Sequence, residues 1–269
     1  VTDGMIRWYG HISHIAEKLT GTEVGGLIRY FDTNYLVREA KVVEPIEWRD
    51  PLIEGEFELA ESVSSQPVKM MLPGPLTFAR HSILENGVYS NEQQLAEDYT
   101  NALQQEIRNL SEAGCKHLQI DEPSLLQSPG EAEWVLPLLD ELAQAAGDCT
   151  TRLATYFGDA VPLYEDLQET DFNVLMFDFT YSETLAEDIA RQGSDKRLGL
   201  GLLNGRNTKL RDSDEIIDEI ERMQPGFNEK DQILTFSCSI DYLPRNKARR
   251  KLERLAEIRD RLMEGVAQV

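Results

Sequence analysis

Apolar, β-rich runs alternate with helical periodicity from Val68 to the end of the chain, and this alternation restricts the fold more than any other feature. It is the pattern of parallel β/α units. The sequence predicts strands at 68–72, 117–120, 152–157, 173–179, 197–203 and 233–237. It predicts helices at 91–113, 131–146, 161–169, 183–192, 213–223 and 244–264. Each strand is therefore followed by a helix, as in a (β/α)₈ barrel or an open doubly wound sheet.

The length and the N-terminus favour the barrel. A chain of 269 residues suits a single α/β barrel of about 250 residues, so we expect residues 1–269 to form one domain. Residues 1–3 have the composition of a strand end with no initiator Met before it, which predicts a truncated N-terminus that lacks the first strand. Residues 22–50 depart from the β/α rhythm, because two β-rich segments flank 32–35. They predict a hairpin excursion over the C-terminal mouth of the barrel.

The charge of the chain restricts its partners. It has 48 acidic and 27 basic residues, for a formal net charge of −21, which opposes binding to nucleic acid or to an anionic membrane. No segment approaches the roughly 18 apolar residues of a membrane span. Cys115, Cys149 and Cys238 lie far apart with no CxxC pair, which argues against a disulfide framework. An acidic cytoplasmic protein is the expectation.

Polar residues stand where the predicted strands end. In a parallel barrel these ends meet at one face, and charged groups are costly to bury there unless they bind something. The sequence therefore predicts a site, although a helix N-cap is the alternative role for any single Asp, such as Asp159. The residues concerned are Asp121, Glu122, Thr155, Tyr156, Phe157, Asp159, Asp178, Asn204, Arg206, Asn207 and Cys238.

Several of these segments resemble the cobalamin-independent methionine synthases. Gln119-Ile120-Asp121-Glu122-Pro123 is similar to the hallmark motif of that family. Further matching segments occur in the family's order and cover nearly the whole chain. They are Phe-Asp-Thr-Asn-Tyr at 31–35, Leu-Pro-Gly-Pro-Leu-Thr-Phe at 72–78, Thr-Tyr-Phe-Gly-Asp at 155–159, Asn-Gly-Arg-Asn at 204–207 and Ser-Cys-Ser at 237–239.

The resemblance implies a barrel without the catalytic zinc. These enzymes contain two similar barrels, and in the catalytic one a His-x-Cys pair, a Glu and a Cys hold the zinc that activates homocysteine. Here Leu153 and Thr155 stand at the His-x-Cys positions, and only Cys238 remains of the set. The chain resembles the N-terminal, non-zinc barrel, which contributes to binding the polyglutamylated folate donor. We therefore expect no metal or cofactor on this chain and zinc on a partner barrel.

The resemblance also implies a function and residue roles. The chain would be a component of a methionine synthase that transfers a methyl group from a methylated folate or pterin-type donor to homocysteine. Asp121, Glu122 and Asp178 are the candidate catalytic residues, of which Asp121 and Glu122 would orient the ring edges of the donor. The candidate substrate-binding residues are Asp32, Asn34, Thr155, Tyr156, Phe157, Asn204, Arg206, Asn207 and Cys238. A silent scaffold or regulatory barrel is the alternative, and a lyase similar to uroporphyrinogen decarboxylases is a third.

The remaining titratable residues predict less. His11 and His14 are three residues apart and fit a surface or helix-start pair better than a metal site. His81 follows a Pro-Gly-Pro turn and His117 opens a strand, so neither indicates a site. Cys115 and Cys149 are expected in the core. The basic run of the last helix, Arg245, Lys247, Arg249, Arg250, Lys251 and Arg254, predicts a solvated face, with a contact surface for an acidic partner barrel or a polyglutamate tail as the alternative.

Overall fold

A computed structural model describes residues 2, 8, 10–84, 87–229 and 231–266. The chain forms two compact units. The first contains Val1–Ala154 and Glu169–Asn173, and the second contains Thr155–Gln168 and Val174–Val269. In the described part of the chain, no helix is both long enough and apolar enough to cross a membrane.

The first unit begins with a helix and a long hairpin. Its elements up to residue 84 are α1 (His11–Lys18), β1 (Thr20–Arg29), β2 (Leu36–Glu47), α2 (Glu54–Val63), β3 (Lys69–Pro73), α3 (Pro75–Arg80) and β4 (Ser82–Leu84). β1 pairs with β2 in antiparallel orientation, and β2 pairs with β4 in parallel orientation. The predicted hairpin excursion is therefore confirmed. Its inner face is apolar, since Val37, Ala40 and Val42 are fully or almost fully buried.

The rest of the first unit consists of β/α units. Its elements are α4 (Glu92–Glu112), β5 (His117–Asp121), α5 (Pro123–Gln127), α6 (Ala132–Ala145) and β6 (Thr150–Thr155), whose last residue belongs to the second unit. β3, β5 and β6 are neighbouring parallel strands. Asn91 caps α4, because its side-chain oxygen accepts the backbone N–H of Gln94 at 2.9 Å. The apolar stripe of α4 is buried, as its spacing predicts.

The second unit repeats the same pattern. Its elements are α7 (Tyr164–Gln168), β7 (Val174–Asp178), α8 (Leu185–Gln192), β8 (Arg197–Leu203), α9 (Ser213–Met223), β9 (Ile233–Phe236) and α10 (Arg245–Val266). β7, β8 and β9 are neighbouring parallel strands. β8 is buried over residues 198–203, as expected for a strand covered on both faces. Asp159 accepts the backbone N–H of Val161 at 3.1 Å in a turn ahead of α7, but it is not an N-cap, since Ala160 holds the N-cap position of the 3₁₀ turn at Val161–Leu163.

The strand-then-helix order of the sequence is confirmed, with local corrections. α2, α3 and β4 were not expected, and the strand predicted at 152–157 ends at Thr155, so Tyr156 and Phe157 lie in the following loop. Thr2 forms a parallel bridge with Lys69, at the place where a strand end is predicted. Val1 and Asp3 lie outside the described residues. A single domain over residues 1–269 stays a prediction.

Candidate substrate-binding site

Asp178 is a fully buried carboxylate of the second unit. It ends β7, is 0% exposed, and accepts hydrogen bonds from the backbone N–H of Phe157 (3.3 Å), the N–H of Thr180 (2.8 Å) and the hydroxyl of Thr180 (2.6 Å). Burial raises the pKa of Asp178, while these hydrogen bonds and the nearby Arg206 oppose the rise. The site thus contains an acid that the loops after β6 and β7 hold in one orientation.

Arg206 presents its guanidinium group to two aromatic rings. The guanidinium carbon lies 4.9 Å from the ring centre of Phe157 and 5.6 Å from that of Tyr181, and the group also donates a hydrogen bond to the Tyr181 hydroxyl. These distances are within the range of cation–π attraction. The planar cation is therefore held by π-faces as well as by the field of Asp178.

The turn that carries Arg206 is fixed by its own first residue. The side-chain oxygen of Asn204 accepts the backbone N–H of Arg206 at 2.8 Å and that of Asn207 at 3.0 Å. The N–H of Gly205 donates to the Ser237 hydroxyl at 3.1 Å. A Cβ at position 205 would lie 2.7 Å from the carbonyl oxygen of Cys238 and 2.9 Å from its sulfur, so only glycine fits. The backbone of this turn is consequently rigid.

The loop after β6 holds two aromatic side chains. Tyr156 and Phe157 are 7% and 2% exposed, and their rings meet edge to face with centres 4.7 Å apart. Phe157 has φ 65°, the left-handed region that costs a non-glycine residue about 1–3 kcal/mol. The Phe157 ring also lies 6.0 Å from the ring of Tyr242. Backbone strain at this position is offset by aromatic packing and by the hydrogen bond to Asp178.

Thr155 has an unsatisfied hydroxyl. The residue is 2% exposed, and its Oγ1 has no hydrogen-bond partner among the residues that the structure describes. Buried hydroxyls are normally hydrogen-bonded, and an exception calls for an explanation such as a bound molecule. Thr155 directly precedes Tyr156 and Phe157, so this polar atom belongs to the strand-end region that the sequence singles out.

Lys251 contacts the site, although the sequence predicts it in a solvated face. It is 2% exposed, and its ammonium group donates to the Asn204 carbonyl at 2.5 Å. Burial lowers the pKa of Lys251, and the neighbouring Cys238 opposes that effect. The neighbouring apolar residue Leu252 is 49% exposed. The helical spacing could have predicted the burial of Lys251. It precedes Leu255 and Ile258 by four and seven residues, so it lies on the same face of the helix as they do.

Two further residues of this region were not predicted. Thr180 binds Asp178, and Tyr181 binds Arg206. They lie two and three residues after Asp178, the last residue of β7, so the strand-end argument would have included them had it extended three residues past the strand.

Glu122 lies in the first unit and is wholly buried there. Its carboxylate accepts the backbone N–H groups of Leu76 (2.9 Å) and Thr77 (2.8 Å) and the Thr77 hydroxyl. Burial raises the pKa of Glu122 to about 7, against the lowering effect of these hydrogen bonds. A Cβ at Gly74 would lie 2.4 Å from a Glu122 oxygen, so glycine is required for this approach. Glu122 therefore holds the start of α3, and its oxygens are already used by the chain.

Asp121, Asp32 and Asn34 also lie in the first unit. Asp121 ends β5 and is 7% exposed. Asp32 and Asn34 are exposed at the tip of the hairpin, whereas Thr33 between them is buried and donates to the Tyr30 carbonyl at 2.5 Å. The structure thus brings Asp178, Phe157, Arg206 and the Asn204 turn together in the second unit. The meeting of all the strand ends at one mouth stays a prediction.

Of the two histidines expected at the surface or at a helix start, His14 is buried and His11 is half-buried. His11 and His14 lie on α1, as a helix-start pair should, but His14 is 7% exposed and 3.1 Å from the Glu56 carboxylate. His11 is hydrogen-bonded to the Tyr30 hydroxyl at 2.7 Å, and burial together with His81 lowers its pKa to about 4. The surface reading of this pair was therefore wrong, because α1 packs under the hairpin. Cys115 and Cys149 are buried, as predicted.

Comparison with known proteins agrees with this fold and with these segments. Residues 18–228 match the profile of the cobalamin-independent synthase, N-terminal domain. A methionine synthase of Saccharolobus solfataricus is 30% identical over 260 residues, covering 95% of this chain and 76% of its own length. A methionine synthase of Sulfurisphaera tokodaii is 26% identical over 254 residues, covering 93% of this chain and 73% of its own length.

A solved structure extends the comparison to the fold. The B12-independent methionine synthase of Shewanella sp. W3-18-1, determined with selenomethionine, has a TM-score of 0.86 to this chain at 18% sequence identity. The match covers 100% of this chain and 84% of that one. The predicted class, mixed α/β with parallel strands, is confirmed, and the barrel architecture is consistent with this neighbour.

Parallel β/α units with polar residues at the strand ends define a class of α/β proteins that bind their ligands beyond the carboxyl ends of the strands. Within that class, this chain belongs to the cobalamin-independent synthase family, and it matches the N-terminal domain of that family.

Proposed function

We propose that the chain is the component of a cobalamin-independent methionine synthase that helps bind the methyl donor, a methylated folate or pterin-type compound. The arrangement of Arg206 carries this proposal: its guanidinium lies over Phe157 and Tyr181, in the field of Asp178. A donor of this type combines a flat heterocycle with carboxylate groups. An arginine held by aromatic faces offers bidentate hydrogen bonds to a carboxylate and a surface for a ring.

Each site residue has a role in this proposal. Arg206 and Asn207 bind the anionic or polar parts of the donor, and Tyr156 and Phe157 pack against it. Asp121 orients the ring edge, and Thr155 supplies the unsatisfied hydroxyl described above. Glu122 supports the site indirectly, since it anchors α3. Asp32 and Asn34 remain candidate contacts from the hairpin tip.

The His, Cys and carboxylate side chains of the described residues do not form a set that fits zinc. Zinc binds the thiolate form of cysteine, usually with three further His, Cys or carboxylate ligands. Burial raises the pKa of the Cys238 thiol to about 12, so the surrounding residues do not themselves stabilise its thiolate form. Over the described ranges, no group of three or more His, Cys, Asp or Glu side chains is arranged to hold a metal ion. We therefore propose that zinc and homocysteine are bound by a second barrel, whether on another chain or on a longer one.

Metal analysis tests this division of roles. The purified chain should contain no stoichiometric zinc and should not methylate homocysteine alone, because it lacks an activated thiolate. Inductively coupled plasma mass spectrometry after dialysis against zinc gives the metal content. About one tightly held zinc per chain that is lost in Cys238→Ser would contradict the proposal.

Donor binding tests the role of Arg206 directly. Isothermal titration of the chain with 5-methyltetrahydropteroyltriglutamate should give saturable binding, and Arg206→Ala should weaken it about 10- to 100-fold, the usual loss for a hydrogen-bonded charge. Arg222→Ala is the matched control, since Arg222 is exposed on α9 in the same unit and lies outside the basic run of the last helix. Equal affinities of the wild type and Arg206→Ala would remove Arg206 from the site. No binding by the wild type would favour the scaffold alternative.

A further inference from the structure

Two polar side chains lie in line on β5. Gln119 and Asp121 are two residues apart, so they project from the same face of the strand. They are 6% and 7% exposed, and the Gln119 amide nitrogen donates to an Asp121 carboxylate oxygen at 2.6 Å. Amides and carboxylates are costly to bury without such partners. The contact fixes the position of the Asp121 carboxylate relative to the strand.

Lys69 on the neighbouring strand fixes the amide in turn. β3 and β5 are parallel, with Lys69 opposite His117 and Met71 opposite Gln119. The Lys69 ammonium donates to the amide oxygen of Gln119. An ammonium only donates and a carboxylate only accepts, so the amide has one possible orientation, with its oxygen towards Lys69 and its nitrogen towards Asp121.

We propose that Lys69 and Gln119 are positioning residues that hold the Asp121 carboxylate in the one orientation that can accept hydrogen bonds from the donor. The inference rests on the proposed function, because it assigns Asp121 to the ring edge of the donor. Neither residue touches the donor in this arrangement. Each acts through the next, Lys69 through Gln119 and Gln119 through Asp121.

Lys69 and Asp121 also interact electrostatically within this buried arrangement. Burial lowers the pKa of Lys69 to about 8, with Arg152 adding to the effect and Asp121 opposing it. Among the described residues, the charged groups that act on Lys69 are Asp121 on β5 and Arg152 on β6, and His117 on β5 is its register partner. A direct ion pair between Lys69 and Asp121 would involve the same two charges without an amide between them. The intervening glutamine instead links Lys69 to Asp121 through its amide group.

Substitution of Gln119 gives the sharpest test. Gln119→Glu keeps the size of the side chain and an acceptor for Lys69, but it places an oxygen against Asp121 where an N–H stood. Two adjacent carboxylates repel, and a shared proton relieves the repulsion. Affinity for 5-methyltetrahydropteroyltriglutamate should fall about tenfold or more at pH 8 and recover as the pH is lowered. A merely structural role would not produce that pH profile.

Lys69→Met tests the contact between Lys69 and Gln119, and Lys41→Met is its matched control. Lys41 is also a strand lysine of the first unit, with an ion pair to Glu23 at 3.6 Å. Lys69→Met should weaken donor binding about threefold to tenfold, while Lys41→Met should leave it unchanged. Thermal unfolding of each variant identifies any that fails to fold. An unaltered affinity and pH profile in both folded Lys69→Met and folded Gln119→Glu would overturn the inference.

The outcomes also separate this inference from the proposed function. If Asp121→Asn and Arg206→Ala weaken binding but Gln119→Glu does not, the positioning role fails and the proposed function stands. If none of the variants changes binding, the proposed function fails. In that case, NMR titration of the Asp121 carboxyl carbon still tests the positioning role. Its midpoint should shift in Gln119→Glu and not in Lys41→Met, and equal midpoints would reject the role.

Discussion

Mixing this chain with a second barrel that carries the His-x-Cys zinc site should give methyl transfer to homocysteine that neither protein gives alone. The reason is that the two reactants are bound by different barrels, because the proposed donor site lies on one barrel and the zinc-activated thiolate on the other. A thiol with a pKa of about 8.5 is mostly protonated at neutral pH, and a bound metal deprotonates it. Holding the two reactants together can be worth a factor of about 10² or more in rate.

The measurement is methionine formed per minute from 5-methyltetrahydropteroyltriglutamate, with each barrel alone and with both in equimolar mixture. Arg206→Ala in the mixture should lower the rate at limiting donor while leaving the zinc content unchanged, because its proposed partner is the donor and not the metal. Arg222→Ala should behave as the wild type. Should the zinc-bearing barrel turn over equally well with and without this chain, the split-enzyme proposal fails and the scaffold alternative takes its place.

Replacing Glu122 should give the largest loss of stability. Glu122→Ala removes the acceptor of two backbone N–H groups and one hydroxyl, and leaves a cavity against α3. Unsatisfied buried donors and a cavity together should lower the free energy of unfolding by about 3–5 kcal/mol. Glu122→Gln keeps the shape but turns one acceptor into a donor, so we expect a loss of about 1–3 kcal/mol. Urea unfolding at pH 7 measures both.

The pH dependence identifies Glu122 specifically. The pKa of its carboxyl is raised from 4.5 to about 7 in the folded chain, so folding favours the protonated form. The stability contributed by this group is therefore fully present below pH 4.5, falls as the pH rises to 7, and is constant above. At 1.36 kcal/mol per pH unit, the difference in unfolding free energy between the wild type and Glu122→Gln should shrink by up to about 3 kcal/mol over that window.

Glu106 provides the control for hydrogen bonding alone. It is also 0% exposed and accepts the N–H groups of Leu52 (2.7 Å) and Ile53 (2.8 Å) and the indole N–H of Trp48 (2.8 Å). Glu106→Gln at pH 7 therefore measures the loss of unfolding free energy that follows when one of the two acceptor oxygens facing three N–H donors is replaced by an NH₂ group. A constant difference between the wild type and Glu122→Gln from pH 4.5 to 7 would show that Glu122 is ionised throughout.

The elements with strong local signals could be predicted from the sequence. The 21-residue helix α4 has a capping Asn91 and a regular apolar stripe, and β8 is a continuous run of apolar residues and glycines. α2 and α3 could not be predicted in this way, because distant carboxylates hold their first turns. Glu106 binds the backbone just before α2, and Glu122 binds that of α3 from 45 and 46 positions away. Such contacts leave no periodic pattern in the local sequence.

The candidate site shows the same limit. Strand-end position and family resemblance identified Asp178, Asn204 and Arg206, which the structure brings together. Neither strand-end position nor family resemblance identified Lys251. A lysine within a basic run is expected in solvent, and the acceptor of its hydrogen bond, the Asn204 carbonyl, is 47 residues away in the sequence. The histidines of α1 were misplaced for a related reason, because their partners Tyr30 and Glu56 come from other elements.

The turn at Asn204–Asn207 has a consequence for engineering donor specificity. Its backbone is held by the Asn204 side chain, by the Ser237 hydroxyl, by Lys251 and by the close fit of Gly205, none of which involves the side chain of residue 206. The side chain at position 206 can therefore be varied while the backbone conformation of the turn is retained. Libraries of substitutions at position 206 would test new ligand specificities on an unchanged backbone, whereas substitutions at 204 or 205 would alter the backbone of the turn itself.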